Sequence, residues 1–228
     1  MSTVLQILQK HKREFRPVVE YDHGRDKIIR LDLSKTFIKQ NQLEITDMGS
    51  LTDHVNSELG NTGSTYAVGG YNEDRNLYSR NKLFDGVEPR SIHLGIDIWG
   101  KAGTKIYAPL GGVIHSFANN AGDGNYGPTI ILQHQLETKV FQTLYGHLAL
   151  ADIACLKEGK YISRGELIGH LGVSEENGNW PPHLHLQVIE DMRLMEGDYP
   201  GVCSPSERDT YLKNCPDPVL ILNMEIPG

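Results

Sequence analysis

The chain has 228 residues, a net charge of -7 and a 39% apolar fraction, which suits a globular chain with one substantial buried core. The acidic balance, with no Lys/Arg run, argues against nucleic acid or an anionic membrane as partner, and no stretch approaches the roughly 18 apolar residues of a membrane helix. The opening residues lack the basic-then-apolar order of a signal peptide, so a cytoplasmic address is expected, with Cys155, Cys203 and Cys215 as reduced, packed thiols rather than a disulfide framework.

In chain order, Ser2 or Thr3 can cap a first helix in which Val4, Leu8, His11 and Phe15 recur at helical spacing until Pro17. Residues 28–46 carry short period-2 runs (Ile29, Leu31, Leu33, then Phe37, Leu43, Ile45) and predict one or two strands. A second helix is expected over 51–59, stopped by Gly60, with His54 and Glu58 as a solvated i, i+4 pair. Residues 61–86, rich in Gly, Asn, Asp and Arg, read as a surface connection or a loop lining a groove. From Ser91 onward the pattern becomes short strands between turns: 105–108, 112–117, 129–133, 140–145, 167–171 and 183–189. The expected fold is mainly β, a β-rich α+β chain built on an antiparallel sheet or small barrel. Residues 1–86 form an N-terminal extension of helices and short strands, 87–190 the β domain, and 191–228 a tail with a short helix near 204–212.

Residues 91–99, Ser-Ile-His-Leu-Gly-Ile-Asp-Ile-Trp, alternate: Ile92, Leu94, Ile96 and Ile98 face one way, His93, Gly95 and Asp97 the other. At about 3.3 Å per residue, the Cα atoms of His93 and Asp97 would stand about 13 Å apart in a straight strand, too far to share a metal. The chain must bend between them, and Gly95 is where a bend costs least. Much later, Pro182-His183-Leu184-His185-Leu186-Gln187 places His183 and His185 on one face while Leu184, Leu186 and Val188 enter the core. Adjacent imidazoles on a sheet suit a divalent metal. Tyr145-Gly146-His147-Leu148 ends another expected strand and offers a further candidate. With ten histidines in the chain, each motif alone is weak evidence, and only the shared strand setting raises it. His11, His23, His54, His115, His134 and His170 read as surface or packing residues, although His115 and His134 could reach the same sheet face.

The segments His93-Leu-Gly-Ile-Asp97, Ala102-Gly-Thr-Lys-Ile-Tyr-Ala-Pro-Leu-Gly-Gly-Val113, Tyr145-Gly-His147-Leu, Gly165-Glu-Leu-Ile-Gly169 and Pro182-His183-Leu-His185 follow one another in that order. Over residues 91–189 the chain thereby resembles the lysostaphin/LytM-type zinc metallopeptidases, which are peptidoglycan cross-bridge endopeptidases. The resemblance implies that His93, Asp97 and His185 bind one Zn2+ per chain with a fourth position open. It implies further that His147 and His183 are the catalytic pair, acting on a peptide or peptidoglycan-like substrate. Competing expectations are a non-catalytic zinc-binding regulatory or interaction module of the same fold, and a cytosolic zinc hydrolase with a non-peptidoglycan substrate. The presence of all five site residues counts against the first. The chain departs from the family's pattern where Pro181 stands before Pro182, after an Asn177-Gly-Asn-Trp180 loop. No Tyr shortly precedes His93, which leaves Tyr71 or Tyr78 for that place. Some family members are kept latent by an upstream Asn on the open metal position, and Asn72, Asn76 and Asn81 lie in the corresponding region here.

Overall fold

The computed structural model describes residues 3–45, 47–80, 82–84 and 86–227. The Thr3 hydroxyl accepts from the Gln6 backbone and the Gln6 side chain answers to the Thr3 N–H, a capping box that starts α1 (Val4–His11) and buries Val4, Ile7 and Leu8. The helix stops a turn short of Phe15, which is nevertheless buried in the same core.

Of the strands expected over 28–46, only β1 (Ile28–Arg30) forms. Residues 35–40 are instead a helix, α2 (Lys35–Gln40), because Ser34 caps it through the Phe37 N–H. A local cap outweighs a weak period-2 pattern. The second helix, α3 (Met48–Thr62), is longer than expected at both ends. Asp47 and Ser50 form its capping box, and Gly60 lies inside it; the stop is Gly63, left-handed at φ 61°. Residues 61–86 are also more ordered than a plain connection, since β2 (Tyr66–Gly69) is buried throughout.

The later strands are β3 (Ile92–His93), β4 (Ile96–Trp99), β5 (Lys105–Tyr107), β6 (Gly112–Asn120), β7 (Gly127–Leu136), β8 (Lys139–Gly146), β9 (Tyr161–Ile162), β10 (Leu167–His170), β11 (His183–Ile189) and β12 (Val202–Cys203). A short helix, α4 (Leu150–Ile153), follows β8, and α5 (Arg208–Asn214) and α6 (Val219–Leu222) close the chain. An eight-stranded sheet runs β1-β2-β4-β11-β8-β7-β6-β9, parallel only between β1 and β2. The pairs β5–β10 and β3–β12 stand apart from it. Among the described residues, no helix is long and apolar enough to cross a membrane.

Both faces of the sheet are covered. Ile96, Ile98, Ile130, Leu132, Leu184, Leu186 and Val188 pack with α1 and α6 on one side, while Ile131, Leu144 and Ile189 point into a separate cluster on the other. The break at Leu94–Gly95 corrects one expectation. Ile92 and Leu94 do not share a core with Ile96 and Ile98, because the bend turns β3 out of the sheet to pair with β12. All three cysteines are free; Cys203 and Cys215 are buried, but Cys155 is exposed rather than packed.

Candidate metal centre

Strand register assembles the site. Asp97 on β4 lies directly opposite His185 on β11, whose other neighbour is Gly146 of β8, immediately before His147. His183 pairs with Trp99, and their rings stack at 5.7 Å and 23°. His93 arrives from β3, brought back toward Asp97 by the Leu94–Gly95 bend. A Cβ on Gly95 would sit 2.5 Å from both Cε1 and Nε2 of His185 and 2.8 Å from the Leu186 carbonyl, so the glycine is needed for the close approach of that ring as much as for the turn.

His93 Nε2, His185 Nδ1 and Asp97 Oδ1 converge: the two nitrogens are 2.9 Å apart, and the oxygen lies 3.4 Å and 3.3 Å from them. These residues form a buried group able to hold a metal ion. Hydrogen-bond partners fix which nitrogens are free. His93 Nδ1 faces the Gly70 carbonyl at 2.8 Å, which can only accept, so its proton is there and Nε2 carries a lone pair. His185 Nε2 faces the Gln187 amide oxygen at 3.0 Å, leaving Nδ1 with the lone pair. Two lone pairs thus meet at 2.9 Å beside Asp97 Oδ1, a buried oxygen with no hydrogen-bond partner. That is repulsive and costly without a cation among them. A tetrahedral zinc shell with bonds of about 2.0–2.2 Å places its ligand atoms roughly 3.3 Å apart, close to the spacing here, and two imidazoles with a carboxylate are a common zinc donor set. The residues fit the metal.

The His147 and His183 rings lie beside this group, centroids 4.2 Å apart. Each is oriented from behind: His147 Nδ1 donates to the Asn177 carbonyl at 2.8 Å and His183 Nδ1 to the Pro181 carbonyl at 2.7 Å, so both keep Nε2 as acceptor. His147 is held at φ 65°, a conformation rare for a residue with a side chain. Its N–H bonds Tyr126 O and its carbonyl accepts from Gly172, which lock it there.

Electrostatics follow from burial. His93, Asp97, His147, His183 and His185 are 2–4% exposed. Burial, then the Arg75 charge, pushes His93 down to about 4. Burial also takes His147 well below its ordinary value, helped by His183 and His185, and lowers His183 with Asp97 opposing. For Asp97 burial works against the charge, but its cationic surroundings, in which the Arg75 guanidinium on Oδ2 is the permanent charge, outweigh it and hold the carboxyl well below its ordinary range.

Arg75, Trp99, Tyr126 and Gln187 join the site without a signal that sequence reading could weigh, because each depends on long-range placement, and Trp180 of the 177–180 loop lines it as well. Of the tyrosines weighed for the place before His93, Tyr78 stacks toward its ring at 6.4 Å, while Tyr71 turns away to Cys215 O. Asn72 spends its side-chain oxygen on Arg208 Nε, and Asn81 lies outside the described residues. The other histidines stand elsewhere: His11 with Glu14 and Glu137, His23 with Glu225, His170 with Asp152, His115 with Ser116, and His134 between Gly111 O and Thr143 Oγ1. His54 is on α3, with Nε2 buried and without a partner.

Residues 91–196 match Peptidase family M23. An uncharacterized metalloprotease of Haemophilus influenzae is 33% identical over 98 residues, 42% of this chain and 18% of that protein. The chain therefore spans less than a fifth of the length of that relative. Among solved structures, a zinc-containing peptidase from Vibrio cholerae is 26% identical, covering 43% of this chain and 27% of the other at a TM-score of 0.35. Csd3 of Helicobacter pylori is 25% identical over 55% and 32%, TM-score 0.35. The catalytic domain of lysostaphin from Staphylococcus simulans is 24% identical over 51% and 77%, TM-score 0.35.

Proposed function

We propose, from the match of residues 91–196 to Peptidase family M23 and the motif order that resembles the lysostaphin/LytM type, that this chain is a zinc-dependent metalloendopeptidase. It hydrolyses a peptide bond in a peptidoglycan-like or other short peptide, with His93, Asp97 and His185 holding one zinc ion and His147 and His183 handling protons. The observation that carries the reading is the meeting of two imidazole lone pairs and an unpartnered carboxylate oxygen beside two further, independently oriented histidines.

A bound zinc ion would supply Lewis acidity, polarising a carbonyl and lowering the pKa of water to about 7. The protein's own groups supply the rest. His147 and His183 are kept neutral by burial, so each can take a proton at Nε2 while its Nδ1–H stays on a backbone carbonyl. One of the pair draws a proton from the attacking water, and the pair returns a proton to the leaving amine. The scissile bond reaches them through a cavity of about 400 Å3 whose walls include Leu77, Phe84, Trp180 and Val202. The five site residues are 2–4% exposed, and burial of that kind strengthens the charge interactions among them.

The test is a peptide-library screen on the purified chain loaded with zinc. Cleavage should appear, vanish with chelator and return with added zinc, and His147→Ala should lose it while keeping the metal. A zinc-loaded chain that cleaves nothing in a broad library would instead favour the non-catalytic binding module.

A further inference from the structure

Arg75 belongs to the segment upstream of the matched domain, yet it is 3% exposed and reaches the site. Its Nη1 donates to Asp97 Oδ2 at 2.6 Å and to Tyr78 Oη at 3.3 Å, its Nε donates to Glu73 Oε2 at 2.6 Å, and its guanidinium lies 5.8 Å over the Trp99 ring. The two oxygens of Asp97 therefore have different surroundings. Oδ2 is taken by a cation, whereas Oδ1 has no hydrogen-bond partner and is turned toward His93 Nε2 and His185 Nδ1.

We infer that Arg75 is a positioning residue for the metal: it clamps Asp97 by Oδ2 so that only Oδ1 is offered, one oxygen and one orientation, to a zinc ion shared with His93 and His185. This rests on the reading of those three residues as ligands. The physical reason is rotational freedom. A carboxylate turns about its χ2 bond and can bind a metal through one oxygen or both, and a planar guanidinium braced by Glu73 and Trp99 removes that choice. The same segment orients a second ligand, since the Gly70 carbonyl takes the Nδ1 proton of His93. Residues 70–75 thus form the outer wall of a centre whose ligands all lie downstream.

Positioning and plain electrostatics make opposite predictions. A cation near a metal repels it, so if Arg75 acted only through its charge, Arg75→Gln would tighten zinc binding and Arg75→Lys would leave it unchanged. If Arg75 positions Asp97, Arg75→Lys keeps the charge, loses the planar fork, and should weaken zinc binding about 10–100-fold. Zinc affinity is measured by chelator competition on full-length wild type, Arg75→Lys and Arg75→Gln, with the Co2+ absorption spectrum as a second readout of ligand geometry. Weaker binding and a changed spectrum in folded Arg75→Lys support the inference. Wild-type affinity in Arg75→Lys, or tighter binding in Arg75→Gln, overturns it. Wild type that binds no zinc would instead overturn the ligand reading. A crystal structure of the zinc-loaded wild-type chain answers the same question without a variant. Asp97 bound through Oδ1 alone, with Arg75 on Oδ2, is expected; a bidentate Asp97 or an Arg75 swung away contradicts the clamp.

Discussion

His147 and Gly95 show how much of the site is set by single backbone positions. His147 takes a left-handed conformation at φ 65°, sparsely populated for a residue with a Cβ, and the cost is borne because both its N–H and its carbonyl are bonded. Removing its ring while leaving the three proposed ligand residues untouched should separate binding from chemistry. His147→Ala is expected to keep its zinc and lose about 10²–10⁴-fold in turnover, read from metal content and single-turnover rates on the same preparation. Gly95→Ala should act on the metal instead. Its methyl would lie 2.5 Å from the His185 ring, so the ring must move or the strands must part. We expect about 1–3 kcal/mol of lost stability together with weakened zinc binding, from urea unfolding and chelator competition. Unchanged affinity in Gly95→Ala would mean that the ring position does not matter to the metal.

For the strands, what was legible in the sequence is what depends on a two-residue period. The shared face of His183 and His185, and the core-facing Leu184, Leu186 and Val188, follow from alternation alone, and β11 forms over the expected residues. The bend between His93 and Asp97 was legible too, because a straight strand cannot bring i and i+4 together. What alternation cannot reveal is which strand lies beside which. Asp97 faces His185 only because β4 pairs with β11 in one particular register, and β2 enters the sheet from a stretch whose Gly and Asn content reads as loop. Caps were the other blind spot: Ser34 starts a helix where the apolar pattern read strand, and Asp47 starts α3 at Met48, ahead of the expected 51–59. The two kinds of feature should respond differently to mutation. Ile98→Ala, fully buried in β4 next to Asp97, should cost about 2–5 kcal/mol and weaken zinc binding through the strand. Asp47→Ala, which removes the cap of α3, should cost about 1 kcal/mol and leave zinc binding unchanged. Thermal unfolding with and without zinc distinguishes them.

In the whole molecule, the site is held between two cores by residues from 70 to 187, so stability and metal binding are linked. Folding also fixes a pH dependence away from the metal. His134, 1% exposed between Gly111 O and Thr143 Oγ1, is pushed by burial from 6.5 down to about 4. Below 6.5 the unfolded chain binds a proton that the folded chain refuses, so this stability is fully present above 6.5 and is lost as pH falls toward 4. The loss is about 2 kcal/mol by pH 5. The gap in urea midpoint between wild type and His134→Gln should therefore narrow from pH 7 to pH 5, and a constant gap would show that the ring is not buried neutral.

The central claim is that His93, Asp97 and His185 hold one zinc ion, with the two other histidines left free for chemistry. Zinc per chain, measured by elemental analysis after loading and dialysis, tests it most directly. About one zinc is expected in wild type and in His147→Ala, and near zero in folded Asp97→Ala and His185→Ala. A wild-type chain that retains no zinc, or an Asp97→Ala chain that retains it as tightly as wild type, would contradict it.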